Sequence, residues 1–241
     1  SSTSSKSKRR QSMKLLKSFN QQGDMGLEEE MGLQGAEAED VELILIESII
    51  DQKMVVSTPG NVSILAQLLP IIVAILKDPA HYNDDTLQLS CALALVKLMV
   101  LSQKLCNQHA QLLFTLMEKS PNSLIRSQLI LGVGDLVYRF PNAMEPWTNH
   151  LYLPLRDKKS KQVRMNTIRV LSHLILKEMI KTRGQLYEIA LCTVDPDPQI
   201  SAMSKQFFQE LSLRNNGLVI YNAMPDMISN LSGGANGNEK T

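Results

Sequence analysis

Nine cationic side chains gather between residues 156 and 183: Arg156, Lys158, Lys159, Lys161, Arg164, Arg169, Lys177, Lys181 and Arg183. Only Asp157 and Glu178 oppose them, a local excess of seven positive charges. Such a cluster can neutralise phosphates and release their counterions. It can equally meet an acidic protein surface, or serve as no more than a solvated rim. No aromatic residue interleaves with these charges, so base stacking is not indicated. A nucleic acid held here would be held by its backbone, whatever its sequence. Lys158, Lys159 and Lys161 share one predicted turn, while Lys181 and Arg183 lie beyond the helix that follows. Arg126 and Arg164 recur 38 residues apart, each beside a turn. Phosphate binding is one reading. An arginine tied to turn carbonyls or to an aspartate of the neighbouring repeat is the other, and the favoured one. The same position holds Gln88 and Ser201 elsewhere.

Other candidate chemistry is thin. Gly132 and Gly134 are not followed by the Lys-Ser/Thr of a phosphate loop and fall within a predicted helix, where they favour close packing. Cys106 and His109 sit three apart, yet no second pair completes a zinc site of about four ligands. His81, His150 and His173 are isolated. Asn61-Val62-Ser63 and Asn230-Leu231-Ser232 match the glycosylation triplet, without a secretory signal to give them meaning. Ser12 follows two arginines at one residue's remove, and Thr58 and Ser120 each precede a proline, a weak kinase-site pattern. No catalytic residue, cofactor site or metal site is assigned, and the chain reads as a non-enzyme.

The elements that must carry these residues repeat. LQLSCALALVKL from Leu87, IRSQLILGVGDL from Ile125, VRMNTIRVLSHL from Val163 and ISAMSKQFFQEL from Ile200 start 38, 38 and 37 residues apart. Leu87, Ile125, Val163 and Ile200 form one apolar column. Leu95, Val133, Leu171 and Phe208 form a second, and Leu98, Leu136, Leu174 and Leu211 a third. Offsets of 8 and 11 residues put all three on one helical face. Each such B helix follows an A helix, starting near Val62, Lys104, Met144 and Gly184, and a turn rich in Asp, Asn and Pro. Those residues cap a helix or preset its first turn. A fifth A helix is predicted from about Leu218 to Leu231. The period lies close to the ~40–47 residues of HEAT and armadillo arrays. The fold class is therefore all-α, a HEAT-repeat α-solenoid of antiparallel helix pairs, with an irregular helical bundle as the structural rival. Stacking buries what one pair cannot.

The expected domains are a flexible lead-in over 1–39, basic then acidic, a solenoid over 40–232 and a disordered tail over 233–241. Val41, Leu43, Ile44, Leu45, Ile46, Ile49 and Ile50 are expected to form a buried first helix. The composition agrees: 44% hydrophobic but 5% aromatic, with 12 Met as adaptable filler. The net charge of +1 selects no partner. Three cysteines without a CxxC pair fit a reducing compartment. No apolar run reaches the ~20 residues that span a bilayer, so no membrane partner is expected. The chain reads as a soluble intracellular fragment of a longer protein.

Several stretches resemble a known family. They are RFPNAMEPWTNHLYLPLRD from Arg139, HLILKEMIKTRGQLYEIA from His173, DPDPQISAMSKQFFQELS from Asp195 and IYNAMPDMISNLS from Ile220. LLFTLMEKSPNSLIRSQLILGVGDLVYRFPN and EEEMGLQGAEAED belong to the same set. Together, from about Glu28 to Ser232, the chain resembles the HEAT-repeat subunit 1 family of condensin I. The resemblance implies a scaffold that joins SMC ATPase subunits and a kleisin subunit and contacts double-stranded DNA through its backbone, in mitotic chromosome condensation. It also implies the nucleus and chromosomes, with a cytoplasmic pool. ATP chemistry would belong to the SMC partners. The basic cluster is the candidate contact for DNA or an acidic partner. A transport adaptor or a phosphatase-type regulatory scaffold of HEAT or armadillo repeats is the alternative.

Overall fold

A computed structural model describes residues 41–50, 63–181 and 184–235. The lead-in expected over 1–39, the end of the expected tail and Arg183 lie outside the described residues. The chain divides into two compact units, Ser1–Ser63 and Ile64–Thr241.

In the second unit, four helix pairs follow one another. The first is α1 (Ile64–Lys77) with α2 (Asp85–Leu101), and the second is α3 (Gln103–Lys119) with α4 (Ser123–Arg139). The third A arm opens with α5 (Pro141–Met144) and ends before α6 (Lys161–Leu176). The fourth pairs α7 (Leu186–Leu191) with α8 (Pro198–Leu213), and α9 (Leu218–Ala235) follows as a further A helix. The B helices α2, α4, α6 and α8 pack successively side by side, and each packs on its own A arm. No strand occurs among the described residues. This is the all-α, HEAT-type stack that the period implies.

The core explains the columns. Ile125, Val163 and Ile200 are buried, as are Leu95, Val133 and Leu171, and all four of Leu98, Leu136, Leu174 and Leu211. Phe208 is half-buried and packs on the core. Leu87 departs from its column at 38% exposure. Seven residues separate α1 from α2, against three between α3 and α4, and every residue from 78 to 87 is exposed. The longer turn leaves the start of α2 uncovered, and Gln88 is the first buried position there.

Two further expectations need correction. The A arms of repeats three and four are not simple α-helices. After α5 come two 3-10 segments, Glu145–Leu151 and Leu153–Arg156, and after α7 comes Cys192–Val194. Pro146 and Pro154 each stand at the first or second position of a 3-10 piece, where the missing N–H costs least; inside one continuous α-helix each would lose an i→i−4 bond and clash with the preceding turn, so the arm is broken at both. Residues 41–50 are helical as expected, but Leu43, Ile44, Leu45, Ile46 and Ile49 are exposed rather than buried. Consecutive apolar residues at about 100° intervals point all round a helix, and a neighbour on one side cannot cover them.

Gly132 and Gly134 act by closeness. A Cβ on Gly132 would lie 2.6 Å from Val96 Cγ1 of α2, and one on Gly134 would lie 2.9 Å from Val170 Cγ1 of α6. The two glycines thus let α4 approach its B-helix neighbours on both sides.

Candidate interaction site at the interhelical turns

The A–B turns carry the polar architecture, and it begins with capping. Asp84, Asn122, Ser160 and Asp197 are the N-cap residues of α2, α4, α6 and α8, each accepting from backbone N–H groups of the first turn. Capping leaves the carbonyls that end each A arm in need of donors. One repeat position supplies them. Gln88 Nε2 donates to Tyr82 O at 2.9 Å, and Arg126 Nη1 to Ser120 O at 2.7 Å and Pro121 O at 3.2 Å. Arg164 Nη1 donates to Asp157 O at 2.8 Å, and Ser201 Oγ to Thr193 O at 2.5 Å. Glutamine, arginine, arginine and serine thus do the same local work.

The two arginines also reach the next repeat. Arg126 donates through Nη2 and Nε to Asp157 Oδ2 at 2.7 and 3.1 Å. Arg164 donates through Nε to Asp195 Oδ2 at 3.0 Å and through Nη2 to Asp195 Oδ1 at 3.2 Å. The side chains are well shielded, at 8% and 13% exposure for the first pair and 14% and 10% for the second. This is the inter-repeat tie rather than a phosphate site. Burial pushes the Asp157 carboxyl up, but Arg126 and the N–H groups of Lys159 and Ser160 outweigh it and hold the carboxyl below its usual range.

The nine cations therefore divide. Arg156 donates to both oxygens of Glu188, at 2.9 Å from Nε and 2.5 Å from Nη2, and the Glu188 hydrogen bond raises the arginine above its ordinary value. Lys161 pairs with Asp197 at 2.8 Å and depresses that carboxyl, chiefly through their hydrogen bond. With Arg164, three of the nine are spent on neighbouring carboxylates. Lys158, Lys159, Arg169, Lys177 and Lys181 are exposed and form no ion pair among the described residues. Lys158 and Lys159 precede α6, while Lys177 and Lys181 follow it. The 16-residue helix separates the two groups by roughly 24 Å.

A groove of about 580 Å³ runs beside the first group. Met117, Leu153, Pro154 and Val163 contribute its apolar lining, and Lys119, Arg126, Arg156, Lys158 and Lys159 its positive lining. Its carboxylates are engaged: Asp157 holds Arg126, and Glu118 Oε1 lies 2.7 Å from His150 Nδ1. Lys119, Lys158 and Lys159 are thus the cations of this groove without a carboxylate partner among the described residues. Lys119 escaped the sequence reading because it ends α3, 37 residues before Arg156; its place in the turn row was the available signal. His150 is not isolated. Besides Glu118 it meets Trp147 and Phe114, which stack at 5.0 Å and 8° across the second and third A arms.

Metal and thiol chemistry finds no footing among the described residues. No group of three or more His, Cys, Asp or Glu converges to hold a metal. Cys106 is fully buried with its Sγ 3.5 Å from Met144 Sδ, and burial pushes its thiol up to about 11. Cys192 is pushed up to about 11, first by burial. No described helix is long and apolar enough to cross a membrane.

A family model described as non-SMC mitotic condensation complex subunit 1 matches residues 124–241, a stretch containing the Arg126–Asp157, Arg156–Glu188, Lys161–Asp197 and Arg164–Asp195 pairs. Condensin complex subunit 1 of Xenopus laevis is 45% identical over 206 residues, which are 86% of this chain and 15% of that protein. The Homo sapiens protein of the same name is 42% identical over 216 residues, 90% of this chain and 15% of its own length. Condensin-1 complex subunit CAP-D2 of Arabidopsis thaliana is 46% identical over 146 residues, 61% of this chain and 10% of that protein. The chain spans about 15% of the length of the frog and human relatives. Relatives and architecture agree: this chain belongs to the condensin complex subunit 1 family.

Proposed function

We propose that this chain is a non-catalytic HEAT scaffold segment of a condensin complex, holding a kleisin subunit, an SMC ATPase head and double-stranded DNA during mitotic chromosome condensation. Family membership supports the assembly, and with it a place in the nucleus and on chromosomes, with a cytoplasmic pool. The observation that carries the DNA contact is the unpaired Lys158–Lys159 step at the rim of the turn groove, with Lys119 beside it. Arg169, Lys177 and Lys181 offer separate contacts along and beyond α6. Arg156, Lys161 and Arg164 are reserved for inter-repeat carboxylates and contribute little to a phosphate. Arg183 belongs to the proposed patch by sequence alone.

Contacts of this kind are to phosphates. Affinity for a duplex should be independent of base sequence and fall linearly in log–log form with salt. The test is fluorescence anisotropy with a labelled duplex, comparing the chain with a Lys158→Glu/Lys159→Glu variant at several salt concentrations. The variant should bind several-fold more weakly with a shallower salt slope. Equal affinity and slope would remove this patch from the DNA contact. Co-purification with separate kleisin segments and SMC heads tests the remaining partners, and a segment that captures neither fails as a scaffold for them.

A further inference from the structure

The groove between the second and third A–B turns holds more than a phosphate contact needs. Lys119, Lys158 and Lys159 are exposed around it, while Arg126 and Arg156 are bound to Asp157 and Glu188. Part of its lining, however, is apolar. Met117, Pro154 and Val163 are buried along it, and Leu153 is 49% exposed. A duplex backbone answers lysines through its phosphates, but it has no apolar side chain to lay on Leu153. The wall is also fixed in advance. Asp157 Oδ1 accepts from the N–H groups of Lys159 and Ser160 at 2.7 and 3.0 Å, and Arg126 holds Oδ2. The backbone that carries Lys158 and Lys159 is thereby pinned to the preceding repeat, so a ligand has little ordering left to impose there. The volume of about 580 Å³ falls within the ~300–1,000 Å³ of sites that enclose a small ligand.

We infer that this groove docks a short acidic segment of a partner polypeptide, one that carries an apolar anchor between its carboxylates. The anchor lies against Leu153, beside Met117 and Val163, and the flanking aspartates or glutamates meet Lys119, Lys158 and Lys159. Charge complementarity selects this class of occupant. Among the lining residues five cations face two carboxylates, and both carboxylates already hold a partner, Asp157 with Arg126 and Glu118 with His150. The three lysines are left for a ligand. An extended segment suits the site because successive side chains point to opposite sides. Acidic residues then reach the lysines on one side, and the residue between them turns to the apolar lining. A cationic segment, or a purely apolar one, lacks half of this match. Lys158 and Lys159 would serve two ligands. That consequence rests on the DNA contact proposed above: peptide and duplex compete for the turn.

The test uses the whole chain and fluorescence anisotropy. The probes are labelled synthetic peptides in which a leucine or phenylalanine stands among aspartates and glutamates, at each position in turn. Each is paired with a control that carries serine in place of the apolar residue. The best apolar peptide should bind roughly tenfold more tightly than its control, the effect of covering one apolar side chain. Leu153→Ser should remove that difference, and Lys158→Glu/Lys159→Glu should weaken the apolar peptide several-fold. Far-UV circular dichroism checks that both variants keep the fold. Controls that bind as well as the apolar peptides would reduce the groove to a general attraction for polyanions and overturn the proposal. So would a set in which no peptide binds, or a difference that survives Leu153→Ser. Competition with a labelled duplex separates this site from the DNA reading. Peptide that displaces duplex upholds both. Peptide bound beside an undisturbed duplex upholds the groove and moves the DNA contact off Lys158 and Lys159, while duplex binding without peptide binding overturns the groove alone.

Discussion

Removing the Asp157 carboxylate should unzip the tie between the second and third repeats. In Asp157→Ala, Arg126 loses the partner of its Nε and Nη2, at 3.1 and 2.7 Å. The N–H groups of Lys159 and Ser160 lose an acceptor at 2.7 and 3.0 Å. Exposed ion pairs are worth about 0.2–1 kcal/mol, whereas breaking a buried pair costs about 3–5 kcal/mol because the survivor stays charged and dry. At 8% and 13% exposure this pair lies near the buried limit. Arg126 nevertheless keeps two turn carbonyls through Nη1, so half its satisfaction survives. The expected loss is about 2–3 kcal/mol. Urea unfolding would be followed by far-UV circular dichroism and by Trp147 fluorescence, since that ring stacks on Phe114 across the same pair of repeats. The sign with pH is set by the lowered Asp157 carboxyl. A depressed native pKa stabilises above the unfolded value of ~3.9 and stops doing so as pH falls through the native value. The gap between wild type and variant should therefore hold from neutral to mildly acidic pH and narrow below. A loss under ~1 kcal/mol, or a gap unchanged below pH ~3, would refute the reasoning.

Other perturbations discriminate neighbouring claims. Arg164→Ala should destabilise by about 2–3 kcal/mol for the same reason, while Lys161→Ala, whose amine is half-exposed, should melt close to wild type. Gly132→Ala should cost about 1–3 kcal/mol by overpacking against Val96, and adding Val96→Ala should recover most of it; no recovery would place the strain elsewhere. Cys91, Cys106 and Cys192 are all buried, so a thiol reagent at pH 8 should label none in the native chain and three after unfolding. Glu178 holds a left-handed φ of 58° just after α6. Glu178→Gly should raise stability by roughly 0.5–1 kcal/mol, and a lower urea midpoint would contradict that.

Much of this was legible in the sequence because helical packing is periodic. The 38-residue spacing, the three apolar columns and the Asp/Asn/Pro turns each follow from local chemistry repeated in register. Helix identity and the facing side chains of α4, α6 and α8 need no tertiary information. The arginines at 126 and 164 could be read as turn-bound because their own turn carbonyls lie within a few residues. Exceptions arose where distant chain intervened. The prolines of the third A arm were visible, but their shift to 3-10 geometry depended on the whole arm's packing. Leu87 followed its column in sequence and lost its cover to a longer turn.

Charge was the property that sequence could count but not allocate. Nine cations against two acids between residues 156 and 183 looked like one patch. Folding brings Glu188, Asp195 and Asp197, from the fourth repeat, onto Arg156, Arg164 and Lys161. Those carboxylates lie about one repeat downstream, beyond any local window. An ion pair depends on distance in space, and only stacking sets that distance. The sequence by itself determined a helical solenoid with a basic third repeat. The tertiary structure decided which of those charges hold the repeats together and which, Lys158 and Lys159 first, remain free to meet another molecule.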